Sequence, residues 1–167
     1  MFEYAGLGIR PVEASDLELL KFSRNEQSTW QNLTDIDMIN GTQQSAWFSR
    51  LSEDKTRSYF IVCKSDLPVG MIRITDINYH NSTACVGCDV FPEHRGRGHG
   101  QNIMSIIKQY CFKWLNLRML WLLVSADNLV AEYIYEKVGF KKTGCLPRYL
   151  YRDGAYVDYN LMVCENV

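Results

Sequence analysis

Nothing in this 167-residue chain is long and apolar enough to form a membrane-spanning helix. Its longest unbroken apolar run, residues 119–124, falls far short of the roughly 20 residues such a span requires. No apolar stretch near the N-terminus has the form of a secretory signal, so the cytoplasm is the expected address. Charge of one sign is not in excess: 18 Lys+Arg face 19 Asp+Glu, a formal net charge of −1. A protein that tracks nucleic acid carries a basic footprint, and none is present. No internal repeat or low-complexity tract interrupts the chain. With 47% hydrophobic and 13% aromatic residues, disorder is excluded, and the length fits one domain over residues 1–167.

A disulfide framework is missing too. Cys63, Cys85, Cys88, Cys111, Cys145 and Cys164 have no pairing rhythm and read as reduced thiols used as small apolar residues. Cys85-x-x-Cys88 has a metal-ligand spacing, but no second cysteine pair or His-x-x-x-His accompanies it. It also sits in an extended stretch, where residues three apart point to opposite faces. No metal is expected.

What is present alternates between two periods. Ser15-Asp16-Leu17-Glu18 fits a capping box opening a helix through Leu19, Leu20 and Phe22. Thr42 is the expected cap of a second helix carrying Ala46, Trp47 and Leu51, and residues 25–41 between the two read as a functional loop. Strands are predicted at 59–64, 69–77 and 83–91, forming an antiparallel meander with turns at Ser65-Asp66-Leu67-Pro68 and residues 78–82. Ile103, Ile106, Ile107, Tyr110 and Trp114 then follow a helical spacing. Residues 119–124 are apolar on both faces, as a buried central strand must be. Ala131, Ile134, Tyr135 and Val138 form a further helical stripe closed by Gly139. Strands at 141–145 and 156–164, joined through a turn at Asp153-Gly154, complete a mixed α/β domain.

The most informative segment lies between the third strand and the helix after it: Val90-Phe91-Pro92-Glu93-His94-Arg95-Gly96-Arg97-Gly98-His99-Gly100-Gln101. Glycines at alternate positions let a ligand approach the backbone, and the following helix adds its positive N-terminal end. A Walker loop would need a terminal Gly-Lys-Ser/Thr, and a Rossmann fingerprint would need glycine at position 101. Neither fits. The remaining Arg-x-x-Gly-x-Gly, from Arg95 to Gly100, suits a phosphate cradle or, taken alone, a flexible turn with solvated arginines.

Downstream, Asn128-Leu129-Val130-Ala131-Glu132-Tyr133-Ile134-Tyr135-Glu136-Lys137-Val138-Gly139-Phe140 has the form N-x-x-A-x-x-x-Y-E-K-x-G-F. With the glycine turn before it, the chain resembles the GNAT superfamily of acetyl-CoA-dependent N-acetyltransferases, from Ile9-Arg10-Pro11 through the last strand. The resemblance implies an α/β GNAT fold: a mixed, mostly antiparallel sheet of about 6–7 strands with helices on both faces. A splay is implied between the fourth and fifth strands, residues 83–91 and 119–125, with the pantetheine of acetyl-CoA in the gap. By the same resemblance, backbone amides of Arg95, Gly96, Arg97, Gly98, His99 and Gly100 would bind the pyrophosphate. The backbone at Val90 would hydrogen-bond the pantetheine or thioester, and Asn128 would contact the cofactor or cap its helix, or both. Tyr135 matches the tyrosine that protonates the leaving thiolate, although its place on the apolar stripe also suits a core aromatic.

An amine must be neutral to attack a thioester, and aliphatic amines are mostly protonated near pH 7. Asp89 is the nearest candidate base, or else a strand-end hydrogen-bond acceptor; His80 and His94 are placed less well. The ribosomal-protein N-terminal acetylating branch carries a glutamate where this chain has Leu123, which puts that branch's mechanism in doubt. Arg24-Asn25 and Gln44-Ser45-Ala46-Trp47-Phe48 instead resemble enzymes acetylating nucleotide-linked amino sugars, with Gln44 in place of a histidine. Arg24, Gln44 and Trp47 are therefore the expected substrate contacts, phosphate meeting the guanidinium and the base stacking on a ring. Protein N-termini are the competing acceptors, and a non-catalytic acetyl-CoA-binding module is the third reading. A small-molecule amine and a second copy of the chain, as a homodimer, are the expected partners.

Overall fold

The computed structural model describes residues 1–166. It opens on a hairpin absent from the predicted strands: β1 (Phe2–Tyr4) and β2 (Leu7–Pro11), turned at Ala5-Gly6 with φ of 52° and 76°. Leu7, Gly8 and Ile9 are all buried, so β2 shows no alternation to read.

A single 3₁₀ turn, Ala14–Asp16, leads into α1 (Leu17–Asn25). Its anchor is Asp16 rather than the predicted Ser15–Glu18 pair; Glu18 turns outward to Lys21. Asp16 Oδ2 accepts the Glu13 N–H at 2.8 Å, and its carboxylate takes both guanidinium nitrogens of Arg10 at 2.7 and 2.8 Å. The Arg10 hydrogen bond holds the Asp16 carboxyl below its ordinary value, against the opposing effect of burial. A depressed carboxyl contributes stability above its unfolded value, and that contribution is lost as pH falls through the folded value. Asp16→Asn should therefore cost about 1–3 kcal/mol near neutral pH. The difference from the parent should shrink as denaturation is measured at pH below about 4; a pH-independent difference would mean that the ion pair contributes nothing.

Leu20 of α1 is buried but Phe22 is 60% exposed. Two residues on, the helix has turned by about 200° and presents Phe22 outward. The predicted loop holds a short helix, α2 (Gln27–Trp30), and α3 (Gly41–Leu51) is capped by Asn40, not Thr42. Asn40 and Gln43 exchange side-chain-to-backbone hydrogen bonds of 2.9 and 3.0 Å.

The meander forms as predicted: β3 (Ser58–Lys64) and β4 (Leu67–Asn78) run slightly longer, β4 taking up Leu67 and Pro68 of the expected turn, and β5 (Thr83–Val90) ends one residue earlier. α4 (His99–Gln109) carries Ile103, Ile106 and Ile107 into the core, then widens into a π-helical turn, where the Leu115 N–H reaches back to the Tyr110 carbonyl. The extra residue rotates the stripe, which is why Trp114 ends 69% exposed instead of continuing it. β6 (Met119–Ser125) and α5 (Leu129–Lys137) follow, α5 ending at Gly139 with φ 97°. The last predicted strands extend to a long hairpin, β7 (Lys141–Arg152) and β8 (Ala155–Glu165), around Asp153-Gly154 with φ of 47° and 82°.

Among the described residues the sheet has eight strands in the order β1-β2-β3-β4-β5-β6-β8-β7, and only β5 and β6 pair in parallel. α4 and α5 cover one face with Ile72, Ile74, Val86, Leu120 and Leu122; α1 and α3 cover the other around Leu20, Ile61 and Phe91. The N-terminal hairpin raises the strand count above the 6–7 predicted.

Candidate active site

β5 and β6 pair only at Thr83–Met119, Ala84–Leu120 and Cys85–Trp121. Beyond Cys85 they part, so the splay lies between the fifth and sixth strands, displaced from the predicted count by the N-terminal hairpin. The β4 register, with the Phe91 N–H donating to the Val69 carbonyl at 3.0 Å, assigns odd-numbered residues of β5 to the β4 ladder. Cys88 and Val90 therefore direct their backbone groups into the gap. The Val90 carbonyl is taken by Arg95, which leaves the Val90 N–H and the Cys88 backbone groups facing the gap.

The glycine turn stands at the mouth of this gap. Gly96 and Gly98 have φ of 72° and 78°, and a Cβ on either would meet nothing within 4 Å. Space in front of the turn is open, and no side chain caps α4, whose first N–H groups face it. Gly100 has a different surrounding: a Cβ there would lie 3.2 Å from Ile134 Cδ1, so its smallness lets α4 approach α5. Arg97 is exposed, while His99 is buried with His94 beside it, ring centroids 6.5 Å apart. Burial and the nearby Lys64 and His94 lower the His99 pKa and favour its neutral form. Arg95 turns inward: Nε donates to the Val90 carbonyl (3.0 Å), Nη1 to Ser28 Oγ (2.7 Å) and Nη2 to Thr29 Oγ1 (2.6 Å).

Tyr135 stands on α5 with its ring tilted on Phe140, centroids 6.1 Å apart. Burial pushes its hydroxyl pKa above the ordinary tyrosine value, with the Cys88 thiol adding to the effect and Arg73 opposing it. The proton thus stays on oxygen at neutral pH. Burial also pushes the Cys88 thiol to about 12 and the Cys85 thiol to about 11, which makes both poor nucleophiles. Asn128 Oδ1 caps α5 by accepting the Ala131 N–H at 3.2 Å.

On the opposite face of the sheet, under α1 and α3, lies a cavity of about 480 Å³. It gathers Arg24, Gln44 and Trp47 with Asp89. Gln44 is buried, Trp47 packs edge-on to Tyr59 at 5.1 Å, and Arg24 pairs with Asp35 at 3.1 Å. Asp89 is bound through Oδ2 by Arg73. His80 stands in the turn before β5, at the end of that strand remote from the glycine turn. Arg50, Arg57 and Arg73 also line the cavity and were not foreseen. The only signal for Arg73 was a charge interrupting the apolar alternation of its strand.

A splayed α/β sheet with a glycine turn at the opening is matched by residues 20–140, which fit the acetyltransferase (GNAT) family model. The chain belongs to the GNAT family. It is accordingly an acetyl-CoA-dependent N-acetyltransferase. Spermidine N(1)-acetyltransferase of Vibrio cholerae is 26% identical over 161 residues, covering 93% of this chain and 91% of its own. L-amino acid N-acetyltransferase AaaT of Escherichia coli is 26% identical over 153 residues, covering 90% and 92%. The crystal structure of the Vibrio cholerae spermidine enzyme with CoA and spermine shares the fold, with a TM-score of 0.91 at 23% identity over 97% of this chain and 96% of that one. GNAT enzymes use acetyl-CoA, which supplies a reactive thioester. The open gap, the unpaired β5 backbone and the uncapped α4 terminus are features that such a co-substrate fits. The fold class is as the sequence implied, and among the described residues no helix is long and apolar enough to cross a membrane.

Proposed function

We propose that this enzyme acetylates the primary amine of a small molecule that also carries negative charge, a nucleotide-linked amino sugar being the acceptor that suits it best. The cavity lining carries the reading: Arg24, Arg50, Arg57 and Arg73 stand against only two carboxylates, Asp35 and Asp89. Those two are already paired with Arg24 and Arg73, and Arg57 is paired with Asp54 at 3.3 Å, so among the described residues Arg50 is the guanidinium of the lining that has no ion-pair partner. A guanidinium lining favours phosphate or carboxylate and disfavours a polycation. Trp47 offers a ring for a base, and buried Gln44 offers its amide to a sugar hydroxyl.

In this reading Asp89 faces the acceptor amine and takes its proton, while the Val90 backbone steadies the acyl oxygen. Tyr135 donates to the departing sulfur. The glycine turn from Arg95 to Gly100 holds the pyrophosphate, with Asn128 beside the pantetheine. Edge strand β7, with Leu146, Tyr149 and Tyr151 exposed, supports a homodimer. Similarity to spermidine N(1)-acetyltransferases favours a second reading, a polyamine acceptor. A protein N-terminus is supported less, since Leu123 offers no carboxylate beside the gap.

CoA release measured over a panel of amino-sugar nucleotides, amino acids, spermidine and short peptides separates these. The highest kcat/KM is expected for an anionic small-molecule acceptor, amino-sugar nucleotides first. Spermidine or peptide turnover exceeding that of every anionic small molecule would overturn the proposal.

A further inference from the structure

We infer that Arg73, laid across Gly87, is a positioning residue for acetyl transfer: it fixes the Asp89 carboxylate at the acceptor cavity and sets a positive charge between that cavity and Tyr135. This rests on the roles proposed for Asp89 and Tyr135.

The geometry is specific. Arg73 on β4 stands opposite Gly87 on β5, and Asp89 is two residues further along the same face. To reach Asp89, the Arg73 side chain must cross the position of residue 87. A Cβ there would lie 2.9 Å from Arg73 Nη2, 3.4 Å from Nε and 3.5 Å from Cζ. The guanidinium thus occupies the space where a side chain of residue 87 would begin. Gly87 has no positive φ, so a left-handed conformation does not account for glycine here. Room for the guanidinium does. Nη1 then binds Asp89 Oδ2, while Asp89 Oδ1 takes no hydrogen bond from the described residues and is left for an acceptor amine.

Both side chains line the acceptor cavity, and both are largely enclosed, with side-chain exposures of 29% for Arg73 and 19% for Asp89. Tyr135 stands on α5, which covers the other face of the sheet, and Arg73 and Asp89 both act electrostatically on its hydroxyl. Acetyl transfer moves negative charge onto the acyl oxygen and then onto sulfur. A fixed guanidinium beside that path stabilises the charge without reorganising, which is the most effective form of electrostatic help. Its second hold, on Asp89, keeps the carboxylate from rotating away from the amine.

The test is a double-mutant cycle on Gly87→Ala and Arg73→Gln, using whichever amine of the panel is turned over, so that its outcome does not depend on the acceptor's identity. Each single variant should lower kcat about 30-fold or more, with acetyl-CoA Kd within about twofold of the parent. Gly87→Ala leaves the arginine in the chain and only displaces it, so the double variant should be no slower than the slower single one. A merely structural role would move thermal stability and acetyl-CoA affinity and leave kcat of the folded fraction alone. Should Arg73→Gln fail to fold with Asp89 unpaired, Arg73→Lys, which keeps the charge beside Asp89 and loses the planar fork, is measured in its place. A folded variant of Arg73 with kcat within about twofold of the parent, or losses that multiply in the double variant, would overturn the assignment. Loss in Arg73→Gln without loss in Tyr135→Phe would refute the tyrosine's part while keeping the hold on Asp89.

Discussion

Tyr135→Phe should lower kcat by roughly 100-fold while KM for the acceptor stays within about twofold. Phenylalanine keeps the contact with Phe140 and the packing against the α4 and α5 core, and deletes one oxygen. As a core aromatic alone, Tyr135 would cost at most about 1 kcal/mol of stability on losing that oxygen, with kcat unchanged. Because burial raises its pKa, the hydroxyl stays protonated through neutral and mildly alkaline pH. No alkaline loss of activity over roughly pH 6–9 should therefore trace to it. An unchanged single-turnover rate in a folded Tyr135→Phe variant would remove the general-acid role.

The second large effect is expected at Gly98. Its φ of 78° disfavours any side chain, and a β-branched one most, by about 1–2 kcal/mol or more. Nothing of the protein lies within 4 Å of a Cβ there, so valine would project into the open space before the α4 terminus. Gly98→Val should weaken acetyl-CoA binding by about 10- to 100-fold, as lost amide contacts and a blocked approach imply. Gly154, with φ 82° and equally open surroundings at the tip of the β7–β8 hairpin, gives the control. Gly154→Val carries a similar backbone penalty and should leave the affinity alone. Equal affinities in both folded variants, read by calorimetry, would remove the phosphate cradle.

Where the chemistry lies in contiguous residues, the sequence was readable. The α4 stripe of Ile103, Ile106 and Ile107, the glycine turn and the Asn128–Phe140 segment all fell where expected. Two kinds of feature escaped. β2 has no period-two signal because it is buried on both faces, and the π-helical turn at Tyr110–Trp114 inserts a residue that no periodicity announces. In the site, Arg73, Gly87 and Asp89 become one arrangement only through the β4–β5 register, which the chain does not state in one segment. Asn40 displaced Thr42 as the cap because two good capping residues stood two positions apart. Only the geometry of Gln43 decides between them.

Two terminal nitrogens of Arg95, Nη1 and Nη2, reach Ser28 and Thr29, 67 and 66 residues away in the chain, while Nε holds the Val90 carbonyl beside the turn. One end of that link is the glycine turn; the other, Thr29, is part of the wall of the acceptor cavity. In the proposed reading, a shift of the turn on binding the nucleotide end of acetyl-CoA would be carried to the acceptor wall by a charged, forked connection. Free energy transmitted this way has no preferred direction. Whatever factor acetyl-CoA imposes on acceptor affinity, the acceptor must impose on acetyl-CoA. The strength of that coupling between the two substrates is then a property of one side chain as much as of either pocket.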